Sequence, residues 1–475
     1  MTRKAFVHLH VALLFACLNA SCIPAFVNGP ARAANTTVPK TYGPSAADDA
    51  TNSSKVTWSE FFADPALNEL IRVALRNNQE LNIVSAEIEL AQAELVEKQG
   101  EYLPKLFAKG EVGLDKDGRF TSQGVSDEAH GVPDNLQNYQ FGLFASWEID
   151  IWGKLRGAAQ ASRMRYLSSI EGQKFAVTVL VGEIANSYYE LLALDAQLAI
   201  VQQNVQIQKD ALVVVRLQKE AARVTELAVQ RFEAEVLKTE SRLFDVQQRI
   251  TQTENRINFL VGRFPQAVAR SPRPVLDLLP PDVHAGLPSA LLENRPDVQR
   301  AALEMEAAAL DVGAARAAFF PTLEINVGAG YQAFDFLKLV ATPASLFYNI
   351  GAGLLAPLLN RNSLTAKYFS SNARQKQAVF NYERAILKGY IEAANQLAMI
   401  QNLDKSYALR SQQVAKLNQS VEISGVLFRS ARADYMEVLL TRRDALEGQL
   451  ELVETRKQQL AAVVDLYQAV GGGWR

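Results

Sequence analysis

The sequence predicts an α+β membrane protein in which four β-strands are combined with several very long helices. Four stretches alternate apolar and polar residues with the two-residue period of a β-strand. Apolar residues with seven-residue spacing run through most of the remaining chain, as in coiled-coil helices. A segment of the first half also returns in the second half, which indicates two internal repeats.

Residues 1–21 have the pattern of a signal peptide. Arg3 and Lys4 precede an apolar run at 5–18, which is too short to span a membrane comfortably. We therefore expect the protein to be exported from the cytoplasm.

Cys22 directly follows this segment and is the expected site of lipid attachment. Two small residues precede it, as in bacterial lipoproteins, while a disulfide with Cys17 and acylation of Cys17 itself are open alternatives. The stretch after Cys22 is rich in Pro, Ala, Asn and Thr and has no period. We expect 22–65 to form a lipid-anchored extended segment.

Seven-residue spacing predicts the helices. The first is expected from about Pro65 to Tyr102, because Pro104 ends it. Two helical hairpins are expected at 154–260 and 363–470, and neither contains a proline. A helix of about 60 residues would be roughly 90 Å long, which predicts a rod rather than a globular domain.

Two strand hairpins are expected at 106–152 and 322–359, with polar loops at 115–138 and 335–345. The alternation is clearest in Tyr139–Trp152. Its apolar set is Tyr139, Phe141, Leu143, Ala145, Trp147, Ile149 and Ile151. Such a strand is long enough to cross a bilayer at a tilt, yet a half-buried strand of a soluble protein has the same pattern.

Four strands are too few to close a barrel. An open sheet edge in lipid would leave backbone groups unpaired, which is energetically costly. If the strands lie in a membrane, several copies of the chain must therefore combine them, and the arithmetic allows two, three or four copies.

The internal repeat appears as a direct alignment of the two halves. Residues 77–106 align with 294–323. Each half then contains a helix, a strand hairpin and a helical hairpin in the same order. We expect repeat 1 at 66–285, ending in a proline-rich connector, and repeat 2 at 286–475.

The composition argues against several classes of function. A net charge of −2 gives no indication of a nucleic-acid partner. Only His130 and His284 lie beyond the signal peptide, so the sequence offers neither a Cys/His metal set nor a nucleophile–histidine pair. Gly351–Ala356 resembles a dinucleotide-binding loop but lies within a strand. We expect no enzyme activity, no metal and no cofactor other than the lipid on Cys22.

Two turns, 223–227 and 432–436, separate the helices of the two hairpins. Thr225 and Asp434 are expected to cap the helices that follow them. As the tips of helical hairpins, the turns are also candidates for the mouth and the docking face of a tube.

Five motifs together resemble a known family. They are Trp58–Phe62, Ser146–Arg156, Arg295–Asp297, Gly313–Pro321 and Gly471–Trp474. In these residues the chain is similar to the outer-membrane efflux channels of the TolC/OprM-like outer membrane factor family, and most similar to its lipoprotein branch. The resemblance covers nearly the whole chain after the signal peptide.

The resemblance implies a homotrimer in which four strands per chain form one 12-stranded β-barrel, continued by a long α-helical coiled-coil barrel. The strands would contact outer-membrane lipid, and the helices would lie in the periplasm. The implied function is the channel-tunnel of a tripartite efflux system, a passive exit for small molecules that an inner-membrane pump delivers through a periplasmic adaptor protein. The alternatives are a channel for type I protein secretion and a non-channel periplasmic coiled-coil rod.

The resemblance also implies roles for residues near the second turn. Met436 takes the place of the leucine that narrows the periplasmic aperture, and Arg443 takes the place of a basic gate residue. Leu440 stands where an acidic residue is expected, so Glu437 or Asp434 would supply a carboxylate instead. We expect a hydrophobic plug of Met436 and Leu440. The expected adaptor-docking residues are Arg223, Val224, Thr225, Arg432, Ala433 and Asp434.

Overall fold

The computed structural model describes residues 32–43, 51–357, 361–430 and 432–475. The predicted signal peptide and the predicted lipid site at Cys22 lie outside these residues. The helices are α1 (Trp58–Phe61), α2 (Pro65–Asn77), α3 (Gln79–Glu101), α4 (Ser122–Ala129), α5 (Lys154–Glu220), α6 (Glu226–Leu260), α7 (Leu291–Asn294), α8 (Pro296–Ala317), α9 (Asn362–Arg429) and α10 (Tyr435–Ala469). The strands are β1 (Lys105–Asp115), β2 (Leu136–Ile149), β3 (Thr322–Ala333) and β4 (Leu346–Leu355).

The described residues divide into two compact units. The first contains Glu89–Leu167 and Leu303–Phe380 and therefore the whole sheet. The second contains Asn35–Ile88, Ser168–Ala302 and Asn381–Arg475, with both turns of the helical hairpins. Among the described residues, no helix combines the length and the apolar character that a membrane-spanning helix requires.

The four predicted strands are confirmed and form one antiparallel sheet in the order β1-β2-β3-β4. Leu143 of β2 is opposite Ala108 of β1 and Ala329 of β3, and Ala329 is opposite Tyr348 of β4. Residues directly opposite each other in an antiparallel pair point to the same face. This register therefore places the apolar sets of all four strands on one face of the sheet.

The longest strand ends earlier than the sequence predicts. The alternation continues to Trp152, but β2 ends at Ile149. The carboxylate of Asp150 accepts hydrogen bonds from the backbone N–H groups of Leu155 at 3.2 Å and Arg156 at 2.8 Å. Asp150 thus accepts hydrogen bonds from free N–H groups at the start of α5. The chain therefore leaves the sheet before the alternation of apolar and polar residues stops.

The first predicted helix is also interrupted, because Asn78 separates α2 from α3. Its backbone has φ −63° and ψ 129°, which is extended. Its side chain donates to the carbonyl of Leu260 at 2.8 Å and accepts from the N–H of Leu81 at 3.0 Å. The heptad pattern predicts one continuous helix here, because it gives no sign that Asn78 ends one helix and caps the next.

The two hairpin loops contain short helical turns that the prediction of plain polar loops missed. In the first loop, the Thr121 hydroxyl accepts from the N–H of Gly124 at 3.1 Å and starts α4. In the second, the carboxylate of Asp335 accepts from the N–H of Leu337 at 3.0 Å and starts a 3₁₀ turn at Phe336–Lys338.

Aromatic residues organise the core of the second unit. The Tyr188 hydroxyl donates to the carboxylate of Asp64 at 2.8 Å and accepts from the N–H of Ser271 at 2.9 Å. Phe61 stacks on Tyr467 with ring centroids 3.9 Å apart. These contacts hold the segment before α2 and the proline-rich connector against α5 and α10.

Arg295, from one of the motifs that carry the family resemblance, is buried in the same unit. It makes two bonds to the Asp297 carboxylate, at 3.0 and 2.7 Å, and one to the carbonyl of Ala469 at 2.7 Å. Its guanidinium also lies 2.9 Å from the carboxylate of Glu392. Burial opposes the charge, but the two carboxylates raise the pKa of Arg295 overall. The motif therefore joins α8, α9 and the end of α10.

The part of the extended N-terminal segment that lies in this unit runs along α9. The backbone N–H of Asn35 donates to Glu383 at 3.0 Å, and the Tyr390 hydroxyl donates to the carbonyl of Thr41 at 3.0 Å. Tyr42 is buried and stacks on Tyr390 with ring centroids 5.4 Å apart.

Candidate functional site: the sheet and the helical-hairpin turns

One face of the sheet is apolar and strongly exposed. Val112 is 77% exposed, Leu143 57% and Ile350 76%. The other large exposed side chains of this face are Leu106, Leu114, Phe141, Trp147, Val327, Leu346, Tyr348 and Leu354. A water-soluble surface rarely carries so large a continuous apolar patch. This face is suited to contact lipid or another apolar surface.

The opposite face is mixed and contains most of the polar groups of the sheet. Lys109 and Glu111 form an ion pair at 2.5 Å. Gln332 donates to the side chain of Asn138 at 3.0 Å. Polar side chains that satisfy each other in this way are compatible with water. The two faces of the sheet thus differ in the solvent they favour.

Two tryptophans mark the end of the sheet where β2 leads into α5. The Trp147 indole N–H donates to the carbonyl of Tyr102 at 3.0 Å, and that of Trp152 donates to the carbonyl of Pro321 at 2.8 Å. Trp152 also stacks on Phe320 with ring centroids 4.4 Å apart. Aromatic residues with a satisfied polar group are typical of a membrane–water interface.

Asp150 lies at the same end and is held in its charged form. Burial alone would raise the pKa of Asp150, but the N–H groups of Arg156 and Leu155 and the Arg156 guanidinium together lower it. Asp150 belongs to the motif Ser146–Arg156, but residue spacing alone did not reveal that Asp150 caps a helix.

The structure brings the two predicted turns together around one apolar cluster, called here the turn cluster. Its buried members are Leu212, Val215, Ala228, Val229, Phe232, Val236, Phe428 and Val438. Val224 from the first turn and Tyr435 from the second both pack against it. The two helical hairpins are therefore joined at their tips by hydrophobic contact.

The same type of backbone hydrogen bond closes each of the two turns, but the turns differ in their helix caps. The N–H of Arg223 donates to the carbonyl of Gln218, and that of Arg432 to the carbonyl of Leu427, each at 2.8 Å. The carboxylate of Asp434 accepts from the N–H of Tyr435 at 2.6 Å, as expected of a cap. Thr225 occupies the N-cap position of α6 as predicted, but within the described part of the chain its side chain makes no capping bond.

The predicted docking residues lie mostly at the surface. Arg223, Thr225, Arg432 and Asp434 are exposed, whereas the apolar Val224 and the small Ala433 are half-buried. In each turn a half-buried apolar residue is thus flanked in sequence by exposed polar or charged residues, a mixture that protein-binding surfaces also contain.

The predicted aperture residues occupy the first three turns of α10. Met436 is half-buried, and its sulfur accepts from the Arg231 guanidinium at 2.9 Å. Leu440 is 43% exposed and Glu437 is exposed. Arg443 pairs with the neighbouring Asp444 at 3.1 Å. Met436, Glu437, Leu440 and Arg443 lie at i, i+1, i+4 and i+7, so Met436, Leu440 and Arg443 share one side of the helix.

Arg442 is a tip residue that sequence reasoning missed. It donates to the carbonyl of Ile207 at 3.0 Å and so links α10 to α5. Burial and the nearby Arg429 lower the pKa of Arg442, although Asp210 opposes this shift. Arg442 and Arg443 are adjacent and identical in sequence. Nothing in the sequence therefore indicates that Arg442 bonds to another helix while Arg443 pairs with its neighbour Asp444.

Among the residues that the structure describes, no group of His, Cys, Asp and Glu side chains is arranged to hold a metal ion. The residues predicted to form the aperture and the docking face have charged and apolar side chains. Their arrangement is suited to contacts with a partner protein or a passing solute.

The comparisons with known proteins agree with this geometry. The family described as "Outer membrane efflux protein" matches residues 70–263 and 287–472. The pyoverdine export outer membrane protein OpmQ of Pseudomonas aeruginosa is 31% identical over 420 residues, which are 88% of this chain and 87% of that protein. The cation efflux system protein CusC of Escherichia coli is 27% identical over 90% of both chains.

Solved structures have the same fold. A crystal structure of CusC has a TM-score of 0.82 at 25% identity and covers 94% of this chain and all of that one. The open state of the MtrE outer membrane channel of Neisseria gonorrhoeae has a TM-score of 0.83 at 21% identity, over 94% and 98% of the two chains. The second likeness concerns the fold alone.

Proposed function

The chain belongs to the outer membrane efflux protein family, and we propose that three copies of it close one 12-stranded barrel in the outer membrane. The protein is an outer-membrane channel of an efflux system. In the proposed trimer, the helices of the three subunits continue the barrel into the periplasm as a tunnel through which small molecules leave passively.

The observation that carries the trimer is the open sheet with one exposed apolar face. Among the strands that the structure describes, β1 and β4 each have a single neighbour. In lipid their free edges require partners, because unpaired backbone groups cannot bond to water there. Pairing β4 of one copy with β1 of the next satisfies both edges and turns every apolar face outward.

The experiment is to purify the protein from outer membranes and to compare unheated and heated samples on SDS gels. A closed barrel runs unheated as a trimer that dissociates only on boiling, and it conducts ions in planar bilayers. A protein that is released from the periplasm without detergent and runs as a monomer would favour the coiled-coil rod. Loss of secretion of a protein, rather than loss of drug resistance, in a deletion strain would favour type I secretion.

The tips of the helical hairpins are the proposed contact with a periplasmic adaptor, and through it with an inner-membrane pump. This is supported by the exposed Arg223 and Arg432 around the half-buried Val224 and Ala433. Reversing the charge with Arg223→Glu and Arg432→Glu should abolish the drug resistance that the channel gives to cells. The trimer and its conductance in planar bilayers should stay as in the wild type. Lys338→Glu, in the loop between β3 and β4, is the matched control and should leave resistance unchanged.

The aperture is proposed to be closed by an apolar plug of Met436 and Leu440 rather than by an acidic ring. Replacing both by serine should raise the single-channel conductance in planar bilayers, because the apolar constriction is removed. Leu227→Ser, at an exposed leucine of the first turn, is the control. Equal conductance of the double variant and the wild type would leave the plug without support.

We also propose that Cys22 carries the lipid anchor and that the channel needs no other cofactor and catalyses no reaction. A relative named probable outer membrane lipoprotein SilC, from Salmonella typhimurium, is 25% identical over 90% of both chains. Mass spectrometry of the mature N-terminus tests the anchor. An unmodified Cys22, or an acylated Cys17, would refute it.

A further inference from the structure

Three phenylalanines form a row on the polar face of the sheet. Phe107 of β1 and Phe144 of β2 are directly opposite each other, with nearly parallel rings whose centroids are 6.0 Å apart. The ring centroid of Phe347 of β4 also lies 6.0 Å from that of Phe144, with an angle of 36° between the two rings. The row thus crosses the sheet from one edge strand to the other.

Glycine makes this continuity possible, because β3 lies between Phe144 and Phe347. Gly328 is opposite Phe144, and a Cβ atom at Gly328 would lie 2.8 Å from the Phe144 ring. Gly330 is opposite Phe347. The absence of side chains at these two glycines lets the rings approach each other across the strand.

The row lies on a face that is otherwise polar. Lys109 and Glu111 follow Phe107 on the same face, and Glu148 and Glu324 are opposite each other towards the α5 end of the sheet. Phe107 is nevertheless 48% exposed. Because the other face of the sheet has the apolar character that lipid requires, lipid does not account for aromatic rings on this one.

We propose that Phe107, Phe144 and Phe347 form a binding row for small planar aromatic solutes in the lumen of the barrel. The proposal rests on the proposed function, since the polar face becomes the lumen only when three copies close the barrel. Flat rings stack on aromatic side chains in water through their apolar faces. Glu324 lies on the same face, and Glu148 opposite it is already in an ion pair with Lys154.

The trimer brings three such rows to one level of the lumen. Twelve strands lie between the eight that side chains can fill and the sixteen or more that leave a wide aqueous channel. A solute that touches the wall at this level therefore contacts aromatic rings. The row would slow and select among the solutes that leave, without closing the channel.

The test measures how long a probe blocks the current of the purified channel in planar bilayers. The probe is benzyltrimethylammonium, and its saturated counterpart, cyclohexylmethyl-trimethylammonium, has the same charge. The wild type should hold the aromatic probe longer than the saturated one. Phe107→Leu and Phe144→Leu should each shorten the aromatic blockade by about 2- to 12-fold, the range of one aromatic contact.

Two variants serve as controls, one for misfolding and one for the face of the sheet on which the ring lies. Phe107→Tyr keeps a ring at the site and should restore the long blockade. Phe141→Leu, on the apolar face of the same strand as Phe144, should leave the blockade as in the wild type.

The outcomes separate this site from the trimer itself. Equal blockade by both probes, or leucine variants that block like the wild type, would overturn the aromatic site while the channel stands. Leucine variants that raise conductance without changing the blockade would show rings that only narrow the pore, which also overturns it. A wild-type protein that forms no channel would overturn the proposed function, and the aromatic site with it.

Discussion

Arginine in place of Leu143 tests whether the apolar face of the sheet contacts lipid. Leu143 is the eighth of the 14 residues of β2, so it lies near the middle of the strand. Its opposite residues, Ala108 and Ala329, are small and leave room for a longer side chain. The cost of Leu143→Arg therefore depends on what surrounds the sheet rather than on its neighbours within it.

The magnitude follows from the position of the charge. An arginine on the lipid face near the middle of a bilayer destabilises a barrel by about 2–4 kcal/mol. That is about a 30- to 700-fold change in the ratio of folded to unfolded chain for each subunit. Gln140→Arg, three residues earlier on the polar face, should change the free energy of unfolding by only about 0.5 kcal/mol.

The assay is the urea dependence of folding into lipid vesicles, followed by the mobility of unheated samples on SDS gels. Leu143→Arg should fold only at lower urea than the wild type, and Gln140→Arg should follow the wild type. If the two arginine variants lose the same stability, or if neither loses any, the assignment of the two faces is refuted.

Two further predictions concern polar groups outside the sheet. Arg295→Met should destabilise the protein by about 3–5 kcal/mol, because it leaves the partly buried carboxylate of Asp297 without its partner. Glu392→Gln should cost less than about 1 kcal/mol, because Glu392 is more exposed. Thermal melting in detergent compares the two variants, and equal melting temperatures would contradict the prediction. Asp150→Ala should cost about 1 kcal/mol at pH 7. Because folding lowers the pKa of Asp150, its contribution is present above the unfolded value of about 3.9 and is lost as the pH falls through the lower folded value. The difference from the wild type should therefore shrink in acid melts, and a constant difference would exclude this role.

The strands and long helices were predictable because their signals are local. Alternation placed the four strands, and their ends differ from the expected ones by only a few residues, as at Ile149. The break at Asn78 was not predictable in the same way. It depends on a hydrogen bond to the carbonyl of Leu260, which is 182 residues away.

The site was predictable to a smaller extent. The two turns and the resemblance indicated Met436, Leu440 and Arg443, and their roles stay predictions. Arg442 and the phenylalanine row were missed, because each depends on neighbours from other parts of the chain. Phe144 and Phe347 are separated in sequence by nearly the length of one repeat, and only the pairing of β2, β3 and β4 makes them neighbours.

Side-chain spacing alone established which stretches are strands and which are helices, and that each strand has one apolar face. Those properties follow from the geometry of a single element, so no other part of the chain is needed to infer them. The common apolar face, the burial of Arg295 and the contact between the hairpin turns arise from the register and packing of distant segments. Such contacts are set by the free energy of the assembled fold, which no local pattern encodes.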